Sequence, residues 1–354
     1  MCDPRHIGVV LGFSEVSEVL TRLSRPARAG LLAISALATT AALLTAAPAQ
    51  AAGPSYVALG DSYSSGTGTK SYVDDGTSCQ RSTYAYPSLL AAQKGYTLNF
   101  RACSGAKIAD VTNTQLSALS STTRYVTISV GGNDAGFADV LTECATPWWA
   151  GDCDGAINTA QAFINNTLPG RLSTLYSSIR SRAVNAKVVV VGYPRIFMGE
   201  DCNAATWFSP AEETRLNQTA DLLNSKLSAA ASARSFSFAN PTSRFIGHAV
   251  CDNPEWLNGL SNPVSESYHP NRLGHSSGYA PLISPLLTGA VAKTTTSYAA
   301  RVPASEIAES QQQYAAQDAS IRPAEFRLPD LTSPAARAAA RRHGIDVQRW
   351  LARH

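Results

Sequence analysis

The chain has 354 residues and a net charge of +3; 44% of its residues are hydrophobic and 16% are charged. That length suits one large globular domain with appendages, and the apolar share is enough for a full core. The charge is too small and too dispersed for a nucleic-acid binder. At the N-terminus, Arg22, Arg25 and Arg28 precede an apolar run from Leu31 that continues in small residues to Ala47. Ala49-Gln50-Ala51 then offers an A-x-A cleavage site. A membrane anchor is the competing reading, because the uncharged run approaches the length of a span. The cleavage tripeptide and the weakly apolar alanines and threonines favour removal. Residues 1–51 are therefore read as an export signal with an extended N-region, and the mature protein as secreted. The stretch before Arg22 is longer than export requires and carries acidic residues; an upstream translation start would explain it.

The globular region, residues 52–289, alternates strands with helices. Tyr56-Val57-Ala58-Leu59 is a short apolar strand ending in Gly60-Asp61-Ser62, and a Gly/Ser/Thr/Asp-rich loop runs on to Ser82. Ala85–Lys94 reads as a helix, Tyr96–Phe100 as a strand, and Ala106–Leu119 as a helix with apolar spacing at Ile108, Val111 and Leu116. Val126–Val130 is the next strand. Gly155–Ala183 carries helical spacing interrupted near Pro169. Lys187–Tyr193 is a continuous apolar strand of the kind buried on both faces of a parallel sheet. Ser209-Pro210-Ala211-Glu212 opens a helix to about Ala233 with a serine cap, proline at the first position and an acid in the first turn. Ser235–Ala239 is a last strand before a long loop to His269. This alternation predicts an α/β fold, a three-layer α/β/α sandwich around a mainly parallel sheet. From about Ala290 the composition changes to a linker, with Thr294–Thr296 and Gln311–Gln313, followed by an Ala/Arg-rich helix over Ser333–His354. Residues 290–354 are read as a surface appendage without catalytic importance.

Four segments carry chemistry. Ser62, at a tight strand exit, can point its hydroxyl into a cleft beside the N–H groups of the next helical turn, which activates a nucleophile and stabilises an oxyanion. Asn133, after Gly131-Gly132 at the end of another strand, offers a side-chain amide donor. Gly105, in Cys103-Ser104-Gly105, presents a backbone N–H with no Cβ in the way. His269 precedes Pro270, which keeps it on an extended or turn segment. Taken singly, each is an ordinary turn or a surface histidine. Taken together they agree, because sites in open α/β sheets form outside the carboxyl ends of the strands.

In order and content these segments resemble the blocks of the SGNH (GDSL) hydrolase superfamily, over roughly Ser55 to Leu287, and are most similar to secreted actinobacterial lipases, esterases and A-type phospholipases. The resemblance implies a flavodoxin-like fold, Ser62 as nucleophile and His269 as general base. It also implies an oxyanion hole from the Ser62 N–H, the Gly105 N–H and the Asn133 amide. Many members place an aspartate three residues before the histidine; here that position is Glu266. Either Glu266 completes a triad or a main-chain carbonyl of the same loop orients the imidazole in a dyad. Asp61 and Asp134, beside turn glycines, are expected to bond neighbouring backbone N–H groups.

Of seven cysteines, Cys2 lies in the export segment and six remain, which in an exported chain reads as three disulfides. The simplest pairing is sequential, Cys79–Cys103, Cys144–Cys153 and Cys202–Cys251, and the resemblance implies the same. No metal site is expected, since no Cys-x-x-Cys pair occurs and His248 and His275 lack ligand partners at useful spacing. No cofactor is required. The expected partner is a lipid or small ester, with transient contact at lipid interfaces, no nucleic acid and a monomeric chain. Trp148, Trp149, Phe197, Trp207 and Phe208 sit in loops where they either meet an acyl chain or pack beneath the disulfide loops. The function read from these residues is a secreted serine ester hydrolase acting on fatty-acyl esters. The alternatives are a carbohydrate O-deacetylase of the same fold and a catalytically silent lipid- or glycan-binding module.

Overall fold

The computed structural model of the chain describes residues 52–288 and 298–353; the proposed export signal and the Lys293–Ser297 linker lie outside the described residues. Five strands form one sheet: β1 (Ser55–Gly60), β2 (Thr97–Phe100), β3 (Tyr125–Ser129), β4 (Lys187–Val191) and β5 (Ser237–Ala239). Their spatial order is β2-β1-β3-β4-β5, and every pairing is parallel. The chain leaves β1 to one side to build β2 and returns to the other side to build β3. That reversal opens a crevice at the carboxyl ends of β1 and β3, where sheets of this order bind ligands.

Helices cover both faces, as burial of Val188–Val191 requires. In chain order they are α1 (Ser62–Ser65), α2 (Tyr86–Lys94), α3 (Ile108–Asp110), α4 (Phe137–Cys144), α5 (Cys153–Asn166), α6 (Leu168–Arg182), α7 (Pro210–Ser232) and α8 (Ala280–Thr288). The Ser209 cap of α7 forms the full reciprocal box: its hydroxyl accepts from Glu212 N, while the Glu212 carboxylate accepts from Ser209 N at 2.8 Å. Proline at the second position of α6 marks the break that divides α5 from α6. The run after α3 continues as a wider turn over Val111–Gln115 and a tighter one over Leu116–Ala118, so the single expected helix is three short pieces. The three disulfides are Cys79–Cys103, Cys144–Cys153 and Cys202–Cys251.

The C-terminal segment departs from the expected appendage. Residues 298–353 lie against the domain, with α9 (Ala304–Gln311), α10 (Ala315–Asp318), α11 (Pro334–Arg342) and α12 (Val347–Leu351). Tyr298, Val302, Ile307, Ile321 and Phe326 are buried in the main core, and Leu331, Ala339 and Ala340 form a second cluster around Trp149. Asp318 sits at the centre of a buried ion cluster. It accepts from Arg81 at 2.5 Å and from both terminal nitrogens of Arg101 at 2.9 and 2.8 Å, and all three side chains are fully buried. Arg81 also pairs with Asp75 at 2.5 Å, and the Tyr314 ring lies 3.8 Å below the Arg101 guanidinium. The expected single helix over Ser333–His354 is instead two, separated at Gly344, whose φ of +66° turns the chain.

Candidate active site

Gly60 is where β1 must stop. Its φ is +122°, and a Cβ there would fall 2.3 Å from Ser129 O, so no other residue fits. The Gln115 amide clamps the same peptide, accepting from Gly60 N at 2.7 Å and donating to Gly60 O at 2.9 Å. Asp61 then caps α1. Its carboxylate accepts from Tyr63 N at 3.1 Å, from the Ser129 hydroxyl at 2.6 Å and from the Tyr193 hydroxyl, tying the nucleophile turn to the ends of β3 and β4. Burial pushes the Asp61 carboxyl up to about 6, and these three donors oppose that rise. Asp61 thus has the local role expected of it, extended to two side-chain partners. Asp134 departs from the expected local role: it accepts from Ile108 N at 2.9 Å, 26 positions away, and pairs with Arg171 at 3.5 Å.

Ser62 is the first residue of α1, so its N–H has no intrahelical partner. Its hydroxyl lies 2.9 Å from His269 Nε2, across 207 positions of sequence. His269 Nδ1–H donates to Ser267 O at 2.9 Å, which leaves the Nε2 lone pair facing the serine hydroxyl. The histidine loop is pinned from below: Tyr63 donates to Tyr268 O at 2.8 Å, and Asn258 N donates to His269 O at 2.9 Å. Tyr268, between Ser267 and His269, holds a φ of +60°, a strained setting for a residue other than glycine. Burial draws the His269 imidazole down to about 4, with the bond to Ser267 O opposing that shift.

Glu266 does not stand against His269. It is buried one turn back, its Oε2 without a hydrogen-bond partner, and the nearest ionisable neighbour it perturbs is Tyr72. Glu266 closes a short helical turn over Val264–Glu266, and the group that meets His269 Nδ1 is the Ser267 carbonyl, at 2.9 Å.

Gly105 and Asn133 line the same crevice as Ser62 and His269. Gly105 has a φ of +82° and follows the Cys79–Cys103 bridge by two residues, so the disulfide braces its loop. Asn133 spends one amide hydrogen on Ala106 O at 3.1 Å, which fixes the plane of the group and leaves its other hydrogen for a ligand. Two N–H groups and one amide beside a serine paired with a neutral imidazole are the parts an acyl-transfer site needs.

The pocket walls come from other residues than the loop aromatics. Phe137 and Leu141 of α4, Ile164 of α5, Leu223 of α7 and Ile196 form the apolar side of the pocket. Phe197 and Phe208 instead pack on Tyr268, Trp149 is buried beside Trp350, and Trp148 is exposed. His275 is a core residue: its Nδ1 accepts from Tyr86 N at 3.3 Å, and burial lowers its pKa to about 3. His248 stacks on Trp256. Among the described residues there is no cluster of three or more potential metal ligands and no helix long and apolar enough to cross a membrane. Gln115, Tyr193 and the pocket helix α4 were not anticipated. Gln115 had a legible signal, as a polar residue on the same helical face as Ile108 and Val111.

A five-stranded parallel sheet with a paired serine and histidine at its carboxyl edge defines a hydrolase of the α/β class. Residues 58–276 match the GDSL-like lipase/acylhydrolase family, and the chain belongs to it. It is 45% identical to Lipase 1 of Streptomyces coelicolor over 262 residues, 72% of this chain and 96% of that protein. The crystal structure of the extracellular lipase of Streptomyces rimosus superposes with a TM-score of 0.62 at 42% identity, covering 66% of this chain and 99% of the lipase. Phospholipase A1 of Streptomyces albidoflavus superposes equally well, with a TM-score of 0.62 at 43% identity over 66% of this chain and 98% of its own. The protein is a carboxylic-ester hydrolase of the GDSL lipase type.

Proposed function

We propose that the protein is a secreted serine hydrolase of fatty-acyl esters that works through an acyl-enzyme on Ser62. The observation that carries this reading is the 2.9 Å contact of Ser62 Oγ with His269 Nε2, continued by the 2.9 Å bond from Nδ1 to Ser267 O. As Oγ bonds to the ester carbonyl carbon, its proton passes to Nε2 and the carbonyl π electrons move to oxygen. The resulting oxyanion is held by the Ser62 and Gly105 N–H groups and the Asn133 amide. Collapse breaks the bond to the leaving alkoxide, which takes the proton from Nε2. Water, deprotonated in turn by His269, then releases the acid. The Ser267 carbonyl fixes the ring and its tautomer, the task a carboxylate has in a triad.

The apolar lining by Phe137, Leu141, Ile164 and Leu223 supports an acyl chain over a sugar as the group accommodated. The relatives named as lipases and as a phospholipase A1 support lipid esters as the substrate class. Three disulfides support an oxidising, extracellular compartment. The test is a matched acyl series on aryl esters and glycerophospholipids, with and without a chelator. Turnover of medium- and long-chain esters in both is expected. Strict preference for acetylated sugars, or loss of activity with the chelator, would reject the reading.

A further inference from the structure

The C-terminal segment crosses the catalytic pocket. A Cβ placed on Gly105 would fall 2.2 Å from Pro323 Cα, so the chain rests directly on the glycine next to the nucleophile. Three residues later the Phe326 ring stands edge-on to Tyr268, centroids 4.9 Å apart, beside the histidine loop. Pro323, Ala324, Glu325 and Phe326 all line the pocket that holds Ser62 and His269. The strand of chain between them therefore spans from the glycine loop to the histidine loop.

Both flanks of this span are docked. Upstream, Asp318 is locked between Arg81 and Arg101, and Gln311 accepts from Arg101 at 3.0 Å. Downstream, Arg327 N donates to the Thr142 hydroxyl at 3.0 Å, on the helix that supplies Phe137 and Leu141 to the opposite wall. Beyond it, Leu331 and α11 pack around Trp149. The span is a fixed wall, and the cavity left beneath it is about 70 Å³, small beside the ~300–1,000 Å³ of pockets that enclose a whole ligand. This wall also stands outside the shared domain: the family match ends at residue 276, and the Streptomyces rimosus lipase is covered over 99% of its length by only 66% of this chain.

We infer that Pro323–Phe326 are specificity-determining residues, a strap that narrows the acyl pocket and sets the chain length of ester the enzyme accepts. The inference rests on the serine ester hydrolase reading above. A short acyl group fits between the strap and α4, whereas a long one has to run past Phe326 and Ala324. Ala324 is exposed at the mouth and Phe326 is buried within it, so opposite changes of size at the two positions shift selectivity in opposite directions.

The test uses the full-length protein and the ratio of kcat/KM for para-nitrophenyl decanoate to that for the acetate. A ratio cancels the active fraction, so a partly misfolded variant still reports. Phe326→Ala is expected to raise the ratio about tenfold and Ala324→Trp to lower it about tenfold, as expected when several methylene contacts in an apolar pocket are gained or lost. Ratios within about twofold of wild type in both variants overturn the inference while ester turnover still upholds the hydrolase reading. If the wild type turns over neither ester and no fluorophosphonate adduct forms on Ser62, the hydrolase reading itself has failed and the strap's role falls with it.

Discussion

Asp318→Ala tests whether the C-terminal segment is part of the folded domain. Asp318 is fully buried and receives three hydrogen bonds from two arginines that are also fully buried. Arg81 keeps Asp75, but Arg101 loses its carboxylate partner and retains Gln311, Thr114 O and the Tyr314 ring. Removing one partner of a buried ion pair costs about 3–5 kcal/mol, because the remaining charge is left in a poor solvent. At ~2–4 °C per kcal/mol for a domain of roughly this size, the melting midpoint should fall by about 6–20 °C. Asp318→Asn, which keeps the shape and one acceptor, should fall between. Asp139→Ala removes an exposed pair with Arg327 at 3.5 Å and serves as the control, with no measurable change expected. The assay is thermal unfolding of the full-length, disulfide-intact protein at one pH and concentration. A shift for Asp318→Ala no larger than that of the control would refute the buried cluster, and with it the docking of the strap.

His269 must be unprotonated to accept the Ser62 proton, and burial holds its pKa at about 4 rather than the ordinary 6.5. Activity should therefore be level down to about pH 5 and fall to half near pH 4 as the base becomes protonated; a kcat/KM limb centred near 6.5 would contradict this. Glu266→Gln should leave kcat within about threefold of wild type, because Ser267 O and not the carboxylate meets Nδ1; a loss approaching the ~10⁴-fold typical of a triad acid would restore Glu266 to the triad. His275→Ala should lower stability by about 2–4 kcal/mol through the cavity it leaves and the stranded Tyr86 N–H, while activity per labelled Ser62 stays unchanged in active-site titration.

The sequence and the structure agree where local chemistry decides the outcome. The Ser209 box, the proline break between α5 and α6 and the apolar run of β4 are signals carried within a few residues of one another, and each appears where the pattern puts it. Ser62, Gly105, Asn133 and His269 were legible because each follows or adjoins a turn whose residue types have few alternative uses, and the fold brings them to one crevice. The contact of His269 Nδ1 with Ser267 O is set by the backbone of the loop, including a φ of +60° at Tyr268, and the residue letters do not specify that backbone. The strap was hidden for a different reason. Val302, Ile307, Ile321, Phe326 and Leu331 are isolated apolar residues in a polar stretch with no regular period, so they read as linker. Their packing partners, such as Trp149 for Leu331, lie far away in the chain, as do Arg81 and Arg101, which hold Asp318 of the same segment.

In the proposed mechanism Ser62, activated by His269, carries the acyl group. Intact-mass and peptide-mass analysis after brief exposure to an alkyl fluorophosphonate tests it most directly. A single adduct on the peptide containing Ser62, formed by the wild type and by Glu266→Gln but not by His269→Ala, is the result expected. An adduct on another residue, or equal labelling of the His269→Ala variant, would contradict the account.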